Sequence, residues 1–207
     1  MLEDAALAPA PVRREAVERA WANLAGPGPL LTAAERHQVI RDARDAWAGA
    51  PLPNSSSAVR GEAAHWLAAD AEGLTNEIVG DFEARGLDRL RYLEIVGVVA
   101  RLSNVDFYVR GLGATELPLP EPSTAPPTGH IDPAAALTNM WVPTIGQTFA
   151  PHVVDALPAE GEAVRDIHEP MYMQMSDMGD NAYSDELTRA QIEYLAARTS
   201  YLNECFY

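Results

Sequence analysis

Near the end of the chain Thr188 is followed three residues later by Gln191. This pair can close a helix start from both sides, the hydroxyl accepting from one backbone N–H and the glutamine from another. Apolar positions then recur at Ile192, Leu195, Ala196, Thr199 and Leu202, which is one face of a helix. The same pattern appears earlier. Thr32 and Glu35 open a second helix that runs to about Trp47. Val12, Ala16, Val17, Ala20, Trp21 and Leu24 line one side of a helix from Val12 to Ala25, ended by Gly26, Pro27, Gly28 and Pro29. A short helix is expected over 58–70, and one capped by Thr75 ends at Gly86. The longest runs from about Asp88 to Arg110. With Ala, Leu, Glu and Arg dominating these segments, the chain reads as all-α.

Composition sets outer limits. The formal charge of −15 repels a phosphate backbone, so no nucleic-acid partner is expected. No run approaches 18 consecutive apolar residues, so no membrane span is expected. The acidic start Met1-Leu-Glu-Asp is unlike a signal peptide, and one cysteine cannot form an internal disulfide. Both fit a cytoplasmic, reducing location. Residues 1–11 are Ala- and Pro-rich and expected to be disordered, and 114–133 form a proline-rich linker or surface arm. Short helices are expected near Ala134 to Leu137 and near Glu162 to His168, with another short piece from His152 to Leu157. Met171 to Met178 then carries four of the six methionines, a gap-filling run beside the last helix.

The last twenty-four residues also carry a resemblance. Leu187-Thr188, Glu193 five residues after that threonine, and the run through Leu202, Asn203, Cys205 and an aromatic are similar to the alkylhydroperoxidase D-like (carboxymuconolactone decarboxylase) superfamily. The motif there is a glutamate, eleven intervening residues, then Cys-x-x-Cys-x-x-x-His. Glu193 and Cys205 match its glutamate and first cysteine. Its second cysteine and histidine fall three and seven residues after Cys205, so the motif is expected to continue past Tyr207 in the intact protein. A second, less specific similarity covers roughly residues 74–113. Leu31-Thr32 with Glu35 parallels Leu187-Thr188 with Gln191 at an offset of 156 residues. That offset sets His37 against Glu193 and Gly49 against Cys205; another register sets Ala58 and Gly61 at the cysteine positions. Either way the first half holds no thiol.

The resemblance implies a multi-helix alkylhydroperoxidase D-like bundle, with a degenerate first half (12–113) and the start of a second (134–207). It implies thiol-dependent peroxide reduction through a Cys-x-x-Cys pair, with Cys205 as the resolving thiol and Glu193 as the proton-relay carboxylate. The partners implied are a small peroxide, a dithiol reductant and further copies of the chain, with no metal, haem or flavin. The 207-residue chain alone is expected to lack turnover. Two other readings stay open: a lactone decarboxylase of the same superfamily, and a non-catalytic helical scaffold or oligomerisation protein. On one continuous helix, Glu193 and Cys205 would lie about 18 Å apart. The relay then needs the helix to end near Asn203 and fold back, or an intervening histidine or water.

Other chemistry-bearing residues read as structural. Glu94, inside the longest helix, could be a buried carboxylate with a shifted pKa; a place on a polar stripe or a pair with Arg91 or Arg101 is the expectation. His37, His65, His130, His152 and His168 lack metal-ligand spacing. Ser55 to Ser57 have no nucleophile elbow around them, and no glycine-rich phosphate loop is present.

Overall fold

The structure is a computed structural model that describes residues 2–52, 59–138, 140–148 and 152–202. Among these residues it is all-α: seven helices, two short 3-10 turns and two isolated β-bridges. The chain divides into two compact units between Ile167 and His168.

The first unit is built on α1 (Pro11–Ala25), α2 (Ala33–Trp47), α3 (Val59–Ala69), α4 (Asn76–Ala84) and α5 (Arg89–Gly111), and it takes in most of α6 (Pro158–Met171). Local chemistry explains each start. Pro11 opens α1, where its fixed φ suits a first turn and its missing N–H costs nothing. At α2 the expected capping box is formed: Thr32 Oγ1 accepts from Glu35 N at 3.2 Å, and Thr32 N donates to Glu35 Oε2 at 2.8 Å. Such a cap contributes about 1 kcal/mol. Thr75 caps α4, and Asp88 caps α5 by accepting from Leu90 N and Arg91 N at 3.1 and 3.0 Å. Between them Gly86, at φ +98°, makes the left-handed turn that ends α4, with Leu87 N donating back to Phe82 O.

Helix α5 is the axis of this unit. It packs on α1, α2, α3 and the 3-10 turn His152–Val154. Leu93, Ile95, Val98, Leu102 and Val105 are fully buried, with the Phe82 ring of α4 tilted against Tyr92 at 5.8 Å between centroids. Ala100, Asn104, Phe107 and Gly111 form its exposed stripe, while its buried residues include the charged Glu94, Arg101 and Asp106.

The 114–133 arm lies inside the first unit and is tied down at separate points. Leu117 is buried, Thr128 N donates to Gly28 O, Gly129 N to Pro29 O, and Asp132 N to Ala156 O. Residues 2–10 form no helix; Leu7 N bonds to Leu112 O, and Asp4 accepts from Thr115 N. The short helix expected at Ala134 to Leu137 does not form. Asp132 takes the first N–H of that segment, with Ala134 N at 2.8 Å from its side chain, and Ala136 pairs instead with Thr144 in an antiparallel bridge. Asp side chains compete with helical bonding in just this way. Helix α6 begins at Pro158, four residues before the expected start, with Glu160 N and Gly161 N both bonded to Leu157 O.

The second unit, 168–207, holds the end of α6, the 3-10 turn Met175–Asp177 and α7 (Arg189–Leu202). The expected cap is present: Thr188 N donates to Gln191 Oε1 at 2.9 Å, and Gln191 N to Thr188 Oγ1 at 3.4 Å. No residue of α7 is buried. Leu195 is 53% and Leu202 64% exposed, so the periodic apolar face does not serve as a core face here. Among the described residues no helix is long and apolar enough to cross a membrane.

Candidate functional site

Glu193 sits in the second turn of α7, with its side chain 48% exposed. Arg189, one turn earlier, donates through Nε to its Oε1 at 2.6 Å. The same guanidinium reaches the carbonyls of Asp177, Met178 and Asp180 at 3.2, 2.9 and 3.1 Å, which fixes the preceding loop to the start of α7. Tyr172 donates its hydroxyl to Glu193 Oε1 at 3.5 Å. Burial first, and then the Glu193 charge, push that phenol above its ordinary value. His168 packs edge-on against the Tyr172 ring, and burial holds its imidazole below the usual histidine value. This is a surface carboxylate oriented by a cation and within reach of a hydroxyl. Cys205, the expected thiol partner, lies outside the described residues, as do Ser55 to Ser57 and Ala58.

Among the described residues a dense ionisable cluster lies in the first unit. Arg36 of α2, Glu94 and Arg101 of α5 and Glu160 of α6 are each at most 1% exposed. Arg36 Nη2 lies 3.2 Å from Glu160 Oε1, and Arg36 Nη1 lies 3.8 Å from Glu94 Oε1. Arg101 pairs with Glu160 through Nη2, donates to Asn23 Oδ1 of α1 through Nη1, and bonds Gly97 O through Nε at 3.2 Å. Two glycines make room for it. A Cβ on Gly28 would stand 1.9 Å from Glu94 Oε1, and one on Gly97 would stand 2.7 Å from Glu160 Oε2.

Glu94 is thus neither on a polar stripe nor paired with Arg91 or Arg101. Arg91 pairs at the surface with Asp88 and Glu35, and Arg101 belongs to Glu160. Glu94 instead accepts from two backbone amides, Leu30 N at 2.7 Å and Leu31 N at 3.0 Å, on its Oε2. Burial raises its carboxyl to about 7, against the opposing pull of Arg36 and those amides and with the added push of Glu160. The raised value means the folded protein holds a proton that the unfolded chain has released. Glu94 therefore contributes stability that is fully present below the unfolded value near 4.5 and is lost as pH rises through about 7. Urea midpoints are expected to fall over that window in the wild type relative to Glu94→Gln, and parallel pH profiles for the two would refute the sign.

His37, set against Glu193 by the internal offset, is buried with Nε2 2.8 Å from Ala25 O, and so serves to tie α2 to the end of α1. The two capped helices, α2 and α7, share their opening geometry but not this position's chemistry. Among the described residues no group of three or more His, Cys, Asp or Glu side chains is placed to hold a metal ion.

The class these observations define is an all-α protein with a buried double ion pair in its larger unit and an oriented surface glutamate in its smaller one. No protein-family model, curated protein or solved structure matches the chain.

Proposed function

We propose that the intact protein, with the motif continued past Tyr207, serves thiol-dependent peroxide reduction, with Glu193 as its proton-relay carboxylate and Cys205 as its resolving thiol, and that the 207-residue chain alone lacks turnover. The observation that supports the reading is the setting of Glu193. It stands one turn past a two-sided helix cap, twelve positions before Cys205, oriented by Arg189 and within 3.5 Å of the Tyr172 hydroxyl. A carboxylate held in this way can pass a proton while the thiols change state.

The chemistry follows the pairing that the resemblance implies. In the intact protein a thiolate three residues beyond Cys205, where the resemblance sets the second cysteine, would attack one oxygen of the peroxide; the O–O bond breaks, and the departing alkoxide takes up a proton and leaves as the alcohol. The sulfur is now a sulfenic acid. The Cys205 thiolate attacks that sulfur, a disulfide forms and water leaves. An external dithiol then reduces the disulfide and is itself oxidised. No metal or flavin enters the balance. A reducing cytoplasm suits the cycle, and the exposed Tyr194, Leu195, Tyr201 and Leu202 of α7 favour self-association.

The test is consumption of cumene hydroperoxide with dithiothreitol by the protein expressed from its own coding sequence. Cys205→Ser is expected to lower the rate at least 100-fold. Glu193→Gln is expected to lower kcat/KM by about 100-fold, within the range of general acid–base groups, with unchanged helical circular dichroism. Rates equal to wild type in both variants would overturn the reading. A second reading, a non-catalytic helical scaffold, is favoured by the Arg189–Glu193 contact being an ordinary i,i+4 surface ion pair. It predicts those equal rates.

A further inference from the structure

We propose that the outward face of α7 is one half of a two-fold interface, covered in solution by α7 of a second copy of the chain running antiparallel. Arg189, Ile192, Ala196 and Ser200 are half-buried, on the side where Arg189 holds the preceding loop. The opposite face carries Gln191, Tyr194, Leu195, Arg198, Tyr201 and Leu202, with Leu187 just before the first turn, and all of these are exposed. Tyr194 is 71% and Tyr201 73% exposed. A short helix is marginal in water without a covered face, and no residue of α7 is buried. Tyrosine and arginine are among the residues that carry most of the binding energy at protein interfaces.

The face is complementary to itself. A two-fold axis between Tyr194 and Leu195 gathers both residues of both copies at the centre. It sets Gln191 level with Arg198 of the second copy, whose guanidinium can donate to the amide oxygen, and it sets Leu187 level with Leu202. Each contact is then made twice, as a two-fold interface requires. The two Arg198 positions stand about 10 Å apart along the helix axis, so their like charges do not meet. A parallel pair would instead set Arg198 beside Arg198.

Charge favours a second copy as the occupant. The chain has a net charge of −15, yet this face holds one arginine and no carboxylate. The exposed Asp185 and Glu186 stand just before Leu187. In the antiparallel pair they lie beside the last turn of the other helix, where the Arg198 guanidinium sits 5.2 Å over the Tyr201 ring. The same cation–acid contact recurs at the opposite end of the interface. Four tyrosines at roughly 150 Å² each, with the leucines between them, bring the covered area to the order of 1,000 Å² that a specific interface needs. This interface deepens the self-association proposed above and rests on none of the peroxide chemistry.

The experiment is sedimentation equilibrium of the 207-residue chain at physiological salt, with dithiothreitol present so that Cys205 forms no cross-link. A monomer–dimer equilibrium with a Kd in the micromolar range is expected. Leu195→Arg, at the centre of the interface, is expected to raise that Kd about 100-fold. Its circular dichroism is expected to match the wild type, because Leu195 is already exposed. Arg198→Glu is expected to raise the Kd about 10-fold, and adding Asp185→Arg and Glu186→Arg to it is expected to recover most of the loss. In a Cys205→Ser background, Tyr194→Cys is expected to cross-link on mild oxidation. Tyr201→Cys is expected not to, since antiparallel pairing sets those two positions about 20 Å apart. A wild type that stays monomeric at about 100 μM would overturn the proposal and self-association with it. A dimer of unchanged Kd in Leu195→Arg would overturn this interface alone and place self-association on another surface. Equal cross-linking at both positions would overturn the antiparallel register.

Discussion

Glu160→Ala is expected to destabilise the first unit by about 4 kcal/mol, because it strands two buried guanidinia with one removal. Arg36 and Arg101 both rest on Glu160, and all three side chains are at most 1% exposed. What remains after the substitution is Glu94 facing two cations, with Arg101 held among the described residues by Asn23 and Gly97 O. Burial already pulls the Arg101 guanidinium below its ordinary value, and Glu160 is the largest influence opposing that pull. For a chain of this length the loss corresponds to a fall in Tm of roughly 8–16 °C. Thermal unfolding followed by circular dichroism checks it. A shift under about 2 °C would show that water or side-chain movement replaces the pair, and that the cluster is not what joins α2, α5 and α6.

The second large effect belongs to Arg44, which ties four parts of the first unit together. Its Nε and Nη2 form a two-pronged contact with Asp106 of α5 at 2.7 and 2.8 Å. Nη1 reaches Glu116 at 3.0 Å and Leu117 O at 3.2 Å at the root of the arm, and the guanidinium lies 5.1 Å over the Trp21 ring of α1. Arg44→Ala leaves Asp106 buried and uncompensated, at an expected cost of about 3–5 kcal/mol. Replacing both partners by apolar residues, Arg44→Met with Asp106→Leu, is expected to recover most of that loss, because neither charge then remains to be buried. A double variant as unstable as Arg44→Ala would show that the arginine's packing on Trp21, not its charge pair, carries the effect.

The helix starts were legible in the sequence because caps are local. Thr32 with Glu35, Thr75, and Thr188 with Gln191 each satisfy donors within three residues, so spacing alone locates them. Asp132 worked by the same local rule in the other direction, turning an alanine-rich segment away from helix. The buried cluster was not legible. Glu94 bonds amides 64 and 63 residues away, and Arg101 finds Glu160 across 59 residues, so no local pattern announces either contact. A signal was nevertheless present. Glu94, Gly97 and Arg101 recur at helical spacing within the apolar stretch from Leu93 to Leu102, and a charge buried there has to bring its partner inside. The face of α7 shows the converse limit: periodicity marks Ile192, Leu195 and Leu202 as helical, yet it does not say what covers them.

The most direct test of the proposed chemistry is to treat the reduced protein, expressed from its own coding sequence, with one equivalent of hydrogen peroxide and map its cysteines by mass spectrometry. Cys205 is expected in a disulfide with a cysteine three residues further on, formed in the wild type and much more slowly in Glu193→Gln. Cys205 recovered as a free thiol, with the peroxide unconsumed, would contradict the account.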